Sequence, residues 1–279
     1  MSSASSGGPS IGLVVRDVSV RFGGLTALDR VSFAVEPGTV VGVIGPNGAG
    51  KTTVFNVVCG FVKPTSGGIE WRGQPFRPRP DQLVKYGISR TLQGVGLFAH
   101  LSALDNVMVG GAGLRRTGFA SALFALPRSD RDERALRANA LDWLQRLDVA
   151  DAADRLPGTL PYPVQKRVAL ARALISNPQL LLLDEPAGGL GAEDMGGLAD
   201  LIRSLPSRTE APCSVLLVEH HMDLVMNVCD QVVVLDFGKR VAGGTPDEVR
   251  SDPAVAAAYL GVEVSGTGTD TISGTGAAG

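Results

Sequence analysis

The chain has 279 residues, enough for one large or two modest domains, with 44% hydrophobic and 19% charged residues. Its formal net charge of −2 and isoelectric point of about 5.9 exclude a nucleic-acid binder that draws its affinity from a basic face. The three cysteines, Cys59, Cys213 and Cys229, lie at no metal-binding spacing and read as buried thiols of a reducing compartment. No apolar run approaches the roughly 18 residues that span a bilayer.

Met1 to Ser10 is rich in Ser and Gly and lacks a basic-then-apolar pattern, so it reads as disordered and not as a secretion signal. Leu13–Val20 and Val31–Val35 alternate as antiparallel strands do. Val40–Ile44 is an unbroken apolar run and predicts a buried strand. It leads into Gly45-Pro46-Asn47-Gly48-Ala49-Gly50-Lys51-Thr52-Thr53, a gapless match to G-x-x-x-x-G-K-[ST], and Thr52 to Cys59 reads as the following helix. In that context the chemistry is specific. Glycines let successive backbone N–H groups turn inward around phosphate oxygens. The helix N-terminus adds free N–H groups and positive dipole. Lys51 reaches the terminal phosphates, and the Thr52 hydroxyl ligates Mg²⁺. A Gly-rich turn between a strand and a helix would need no lysine after its last glycine.

Further on, Gly68–Arg72 predicts a short strand and Asp81–Tyr86 a short helix. Ile88–Leu92 runs to Gln93, which stands where it could reach metal or water, and then to a glycine-rich turn. From Ser102 to Ile175 the pattern is helical. Ser102 caps one helix with Asp105 three residues on, and Asp130–Leu147 is long and amphipathic, with Leu136, Leu141, Leu144 and Leu147 near one face. The mixed charges of Arg128 to Arg137 read as a solvated helix face. A further helix is expected over Gln165–Ile175.

Leu180–Leu183 is a second buried strand, and it ends in Asp184 and Glu185. Ligands gather at the C-terminal edge of open α/β sheets. There Asp184 would hold Mg²⁺ and Glu185 would act as general base on an attacking water. Val215–Val218 repeats the design and delivers Glu219 and His220, the latter read as a γ-phosphate sensor. Val232–Leu235 is a similar run. Residues 265–279 form a Gly/Thr/Ser tract without apolar periodicity and read as disordered. No internal repeat is present. One globular unit over 11–264 is expected, with a core sheet and a helical insertion.

With these segments in place, the chain resembles the ATP-binding subunits of ABC transporters. GPNGAGKTT at 45–53, Gln93 as the Q-loop, LLLLDEP at 180–186 and His220 as the switch histidine carry the likeness, which covers about residues 13 to 262. The resemblance implies an α/β P-loop NTPase core, an antiparallel β subdomain and a helical subdomain over about 95–176. It implies ATP and Mg²⁺ as ligands. Gly45 to Thr53 would bind ATP, Thr52, Gln93 and Asp184 the metal, and Glu185, His220 and Gln93 would act in hydrolysis. The family's adenine-stacking aromatic maps to Phe22, which reads equally as a strand core residue. Such subunits work as head-to-tail dimers at the cytoplasmic face of a membrane. The implied partners are permease subunits, a second ATP-binding subunit and, indirectly, a solute-binding protein, with no nucleic acid. Leu97 to Leu101 is either the contact with the membrane subunit or internal core.

Finer details are similar to the branched-chain amino acid importers and their relatives, the urea importers. They are RFGGLTAL at 21–28, NVVCGFVKP at 56–64, RTLQ at 90–93, the insertion from Gly118 to Pro127 and the ending from Pro253 to Gly261. The chain departs from the family at its signature, LSGGQ or LSYGQ. Here Leu160-Pro161-Tyr162-Pro163-Val164-Gln165 replaces the Ser with Pro161, the Gly with Pro163 and the first Gln with Val164. In the family that Ser hydroxyl and Gly N–H bind the γ-phosphate held by the partner subunit, and proline supplies neither group. Gly191 also stands where Asp or Asn is usual. The half-site offered to a partner is therefore in question, and a regulatory subunit with little hydrolysis is the alternative reading.

Overall fold

The structure, a computed structural model, describes residues 12–91, 94–111, 127–209 and 211–264. Gln93, the terminal tracts 1–10 and 265–279, and most of the insertion from Gly118 to Pro127 lie outside the described residues.

The first two strands, β1 (Leu13–Phe22) and β2 (Leu25–Val35), form an antiparallel hairpin that pairs Leu13 with Val35 and Phe22 with Leu25. In β1 the inward residues change parity, from Leu13 and Val15 to Val18 and Val20, all buried. A bulge between Val15 and Val18, with Asp17 at φ 47°, makes that possible, because one extra residue moves the following side chains to the opposite face. β3 is Val40–Ile44, β4 is Ser66–Trp71 and β5 is Gln74–Phe76, and one antiparallel sheet has the order β2-β1-β4-β5. Residues 83–86 make only a 3-10 turn, shorter than the helix expected over 81–86.

A second sheet has six strands in the order β10-β9-β3-β8-β7-β6. Its members are β6 (Ile88–Arg90), β7 (Leu180–Asp184), β8 (Ser214–Val218), β9 (Gln231–Asp236) and β10 (Lys239–Gly244), with β3 near the middle. All pairings are parallel except that of β9 with β10. The apolar runs are continuous because both faces are covered, and the alternation of side chains divides them between two cores. Val41, Val43, Leu180, Leu182, Leu216 and Val218 pack with the antiparallel sheet and with helix α1 (Lys51–Cys59). Val40, Ile44, Leu181, Leu183, Val215 and Leu217 pack on the other side.

That other side is helical. It holds α2 (Ala103–Gly111), α3 (Pro127–Arg146), α4 (Tyr162–Leu174), α5 (Ala192–Ser204) and α6 (Met222–Val228). Ser102 caps α2 as expected: its Oγ accepts from the Asp105 N–H at 3.0 Å and donates to the Asp105 carboxylate at 2.7 Å. The chain closes with α7 (Pro246–Ser251), which a Thr245/Glu248 capping box starts, and α8 (Pro253–Val264).

Candidate functional site

Because β3, β8 and β7 are adjacent and parallel, their C-terminal ends lie at one edge of the sheet. β3 ends in the phosphate loop, β7 in Asp184 and Glu185, and β8 in Glu219 and His220. Gly45 has φ 149°, and a Cβ there would lie 2.1 Å from the Leu235 carbonyl oxygen of β9, so the loop must begin with glycine. Gly50, at φ 101°, caps the N-terminus of α1 in the left-handed region. Lys51 opens that helix, one residue ahead of the expected start. Lys51 is buried, 8% exposed, and its ammonium donates to the carbonyls of Gly45 at 2.6 Å and Pro46 at 3.0 Å. Burial lowers its pKa, and the negative charge of Glu185 opposes the shift. Asn47, Gly48 and Thr52 face solvent at the same edge.

The Asp184 carboxyl is half-buried, and its pKa is raised, first by burial and then by the neighbouring Glu185 charge; Arg90 pulls the other way. Glu185 sits at φ 47°, a left-handed conformation that costs a non-glycine residue about 1–2 kcal/mol. Hydrogen bonds hold it there. Its N–H donates to the Val218 carbonyl at 2.8 Å, and the Gly188 N–H donates to its own carbonyl at 3.2 Å. Half of its side chain is exposed, with Oε1 3.8 Å from His220 Nδ1. The His221 ring lies beside that of His220, with centroids 4.2 Å apart and planes tilted by 36°.

Sequence reasoning placed Glu219 at this edge without assigning it a role. Its side chain is wholly buried. Oε1 accepts from the Ala187 N–H at 2.8 Å, and Oε2 accepts from the N–H groups of His220 at 2.8 Å and His221 at 3.1 Å. One carboxylate thus ties the end of β8 to the turn after β7. The sequence signal was an acid directly after a buried strand. Thr91 was also unassigned: among the described residues its buried Oγ1 has no hydrogen-bond partner. It lines a cleft of about 470 Å³ with Asp184, Glu185, Pro163, Lys166 and Leu190.

Phe22 lies at the tip of the β1–β2 hairpin and is 51% exposed, so of its two readings the strand-core one is excluded. Phe98 is likewise exposed, whereas Leu97 packs against the core; the buried Asn106 ties their loop down by accepting from the Phe98 N–H at 2.7 Å and donating to the Phe98 carbonyl at 3.1 Å. The altered signature forms the start of α4, three residues earlier than the helix expected from Gln165. Pro161 is its N-cap and Pro163 lies in its first turn.

Comparison with known proteins identifies the group. The family profile described as ABC transporter matches residues 28–188, and that of the branched-chain amino acid ATP-binding cassette transporter matches residues 239–265. The chain is 42% identical to the high-affinity branched-chain amino acid transport ATP-binding protein BraF of Pseudomonas aeruginosa over 250 residues, covering 89% of this chain and 97% of the relative. It is 39% identical to LivG of Escherichia coli, a protein of the same description, over the same shares. Among solved structures, the ADP conformation of MJ1267, an ATP-binding cassette of an ABC transporter, superposes with a TM-score of 0.76 at 29% identity, covering 90% of this chain and 99% of that one. Phosphate loop, strand-end acids and these likenesses agree: the chain belongs to the ABC transporter family of ATP-binding subunits, and it is an ABC-type ATPase.

Proposed function

We propose that this chain is the ATP-hydrolysing subunit that powers an importer for branched-chain amino acids. The observation that carries the reading is the meeting of Lys51, Asp184, Glu185 and His220 at the ends of three neighbouring parallel strands. The substrate class rests on the named relatives BraF and LivG and on the match at residues 239–265. No helix among the described residues is long and apolar enough to cross a membrane, so contact with the bilayer would come through permease subunits. The exposed Phe98 in its pinned loop supports that loop as the docking point. A solute-binding protein would then select the cargo outside.

Each residue has a definable task. The loop from Gly45 to Thr53 wraps the phosphates with inward N–H groups, and Lys51 adds the charge that holds the terminal ones. Phe22, exposed at its hairpin tip, offers a face on which adenine can stack. The Thr52 hydroxyl and the Asp184 carboxylate are both oxygen donors, the set a hard cation prefers. They would hold Mg²⁺, which neutralises charge on the phosphates when bound. Gln93 is assigned to the same metal on the motif alone. Glu185 accepts the proton of the attacking water, and His220, within reach of it, marks where the terminal phosphate lies. The unit spans 11–264, its helical part running over about 95–176.

The test uses two substitutions in the assembled transporter. Lys51→Ala should weaken Mg-ATP binding, because a charge-assisted contact contributes about 1.5–3 kcal/mol. Glu185→Gln should leave binding near normal and slow phosphate release by roughly 10²–10⁴-fold. Wild-type turnover in Glu185→Gln would place the base elsewhere. Uptake of labelled leucine, set against labelled urea, decides the cargo.

The altered signature favours a second feature, functional asymmetry. This chain would pair with a sister ATP-binding subunit carrying an intact signature, which completes the Lys51/Glu185 site. The sister's own phosphate loop would face Pro161 and Pro163 and stay slow.

A further inference from the structure

Tyr162 and Lys166 are four residues apart on α4 and share one face of the helix. That face lies on the turn that follows β7. The Lys166 ammonium donates to the Pro186 carbonyl at 2.8 Å and to the Glu185 carbonyl at 3.3 Å. It also sits 5.3 Å from the centre of the Tyr162 ring. The ring in turn covers Gly189, where an added Cβ would come within 2.9 Å of Tyr162 Cε1. One residue on, Arg167 pairs with Asp194 at 2.7 Å and ties the same helix to α5.

The turn held by Lys166 contains the left-handed Glu185. Two of its N–H groups are held by the end of β8, that of Glu185 by the Val218 carbonyl and that of Ala187 by the Glu219 carboxylate, and within the turn the Gly188 N–H donates to the Glu185 carbonyl at 3.2 Å. From the helical side Lys166 holds the Pro186 carbonyl at 2.8 Å and is the second donor to the Glu185 carbonyl, beside the Gly188 N–H. A residue's carboxylate follows its backbone, so a carbonyl that can rotate lets the side chain swing.

We propose that Lys166 is a positioning residue for ATP hydrolysis: by anchoring the Glu185 and Pro186 carbonyls it fixes the direction of the Glu185 carboxylate, and it links the helix that begins with the altered signature to this chain's own base. The proposal rests on Glu185 being that base. It adds a route by which a shift of α4, when its N-terminus meets a partner's nucleotide, changes the aim of Glu185 in the same chain.

The experiment measures Mg-ATP hydrolysis and nucleotide affinity of the full chain in the assembled transporter. Lys166→Met should lower kcat by roughly 10- to 100-fold, the scale of misplacing a catalytic group by about an ångström, with the nucleotide dissociation constant within about twofold of wild type. Lys166→Arg keeps the positive donors and should retain most of the rate. In a Glu185→Gln background, Lys166→Met should add little, since both act through one carboxylate. An unchanged kcat in Lys166→Met, a loss of affinity parallel to the loss of rate, or losses that multiply in the double variant would each overturn the proposal. A slow Glu185→Gln beside a fast Lys166→Met sinks only the role of Lys166; a fast Glu185→Gln sinks the base assignment, and this proposal with it.

Discussion

Glu219 shows how much of this site depends on one buried group. Its two carboxylate oxygens accept three backbone N–H groups, and no water reaches it to take over any of them. An amide in its place has one accepting oxygen, and its NH₂ must then face an N–H. Glu219→Gln should therefore destabilise the fold by about 1.5–3 kcal/mol, the cost of losing a hydrogen bond to a charged group in a buried place. Urea unfolding of the full chain checks this through a lower midpoint at an unchanged slope. Turnover should fall as well, because Ala187 and His220 lose their common anchor. A midpoint equal to wild type would mean that the carboxylate is not what holds the turn.

Among the elements, α4 carries the departure with the largest functional consequence. A helix N-terminus offers free N–H groups to an anion, yet Pro161 at the N-cap and Pro163 in the first turn have none. The helix itself does not suffer. Proline is preorganised for a first turn, and the first backbone bond, from the Gln165 N–H to the Pro161 carbonyl, forms at 3.0 Å. So the fold is kept while this helix start lacks two N–H donors, which in the proposed dimer would face a partner's γ-phosphate. Losing one such donor costs about 10²–10³ in rate. The chain alone should thus hydrolyse ATP slowly, and the triple change Pro161→Ser, Pro163→Gly and Val164→Gln should raise its rate by at least that factor. Phosphate release by both proteins is the measurement. A fast wild-type chain that the triple change does not improve would refute the asymmetry.

At the scale of the whole molecule, the two cores on either side of the parallel sheet make the cysteines reporters of the fold. Cys59 lies in the core shared with the antiparallel sheet, and Cys213 and Cys229 lie in the helical one. Burial pushes all three thiols up to about 12. Reaction requires thiolate, so none should alkylate at pH 8 in the native protein, and all three should do so once it is unfolded. Mass spectrometry before and after denaturant reads this directly. Fast native labelling of Cys59 alone would show that the hairpin-side core opens independently of the helical one.

The phosphate loop, the strand-end acids and the buried runs of β3, β7 and β8 were legible in the sequence because each is encoded within a few consecutive residues. A glycine that must accept a positive φ, or a run buried on both faces, leaves a local mark. The first half of β2, Leu25–Arg30, left none, since its exposure pattern there does not alternate; nor did β10, whose Lys239–Gly244 is mostly exposed and ends in two glycines. The strand order that brings β7, β8 and β3 together, the bond between Glu219 and an N–H 32 residues away, and the seat of Lys166 on the Glu185 turn were decided by tertiary structure alone. Each joins segments distant in the chain, and contacts of that kind are selected by the packing of the whole fold, not by any pattern within the segments that meet.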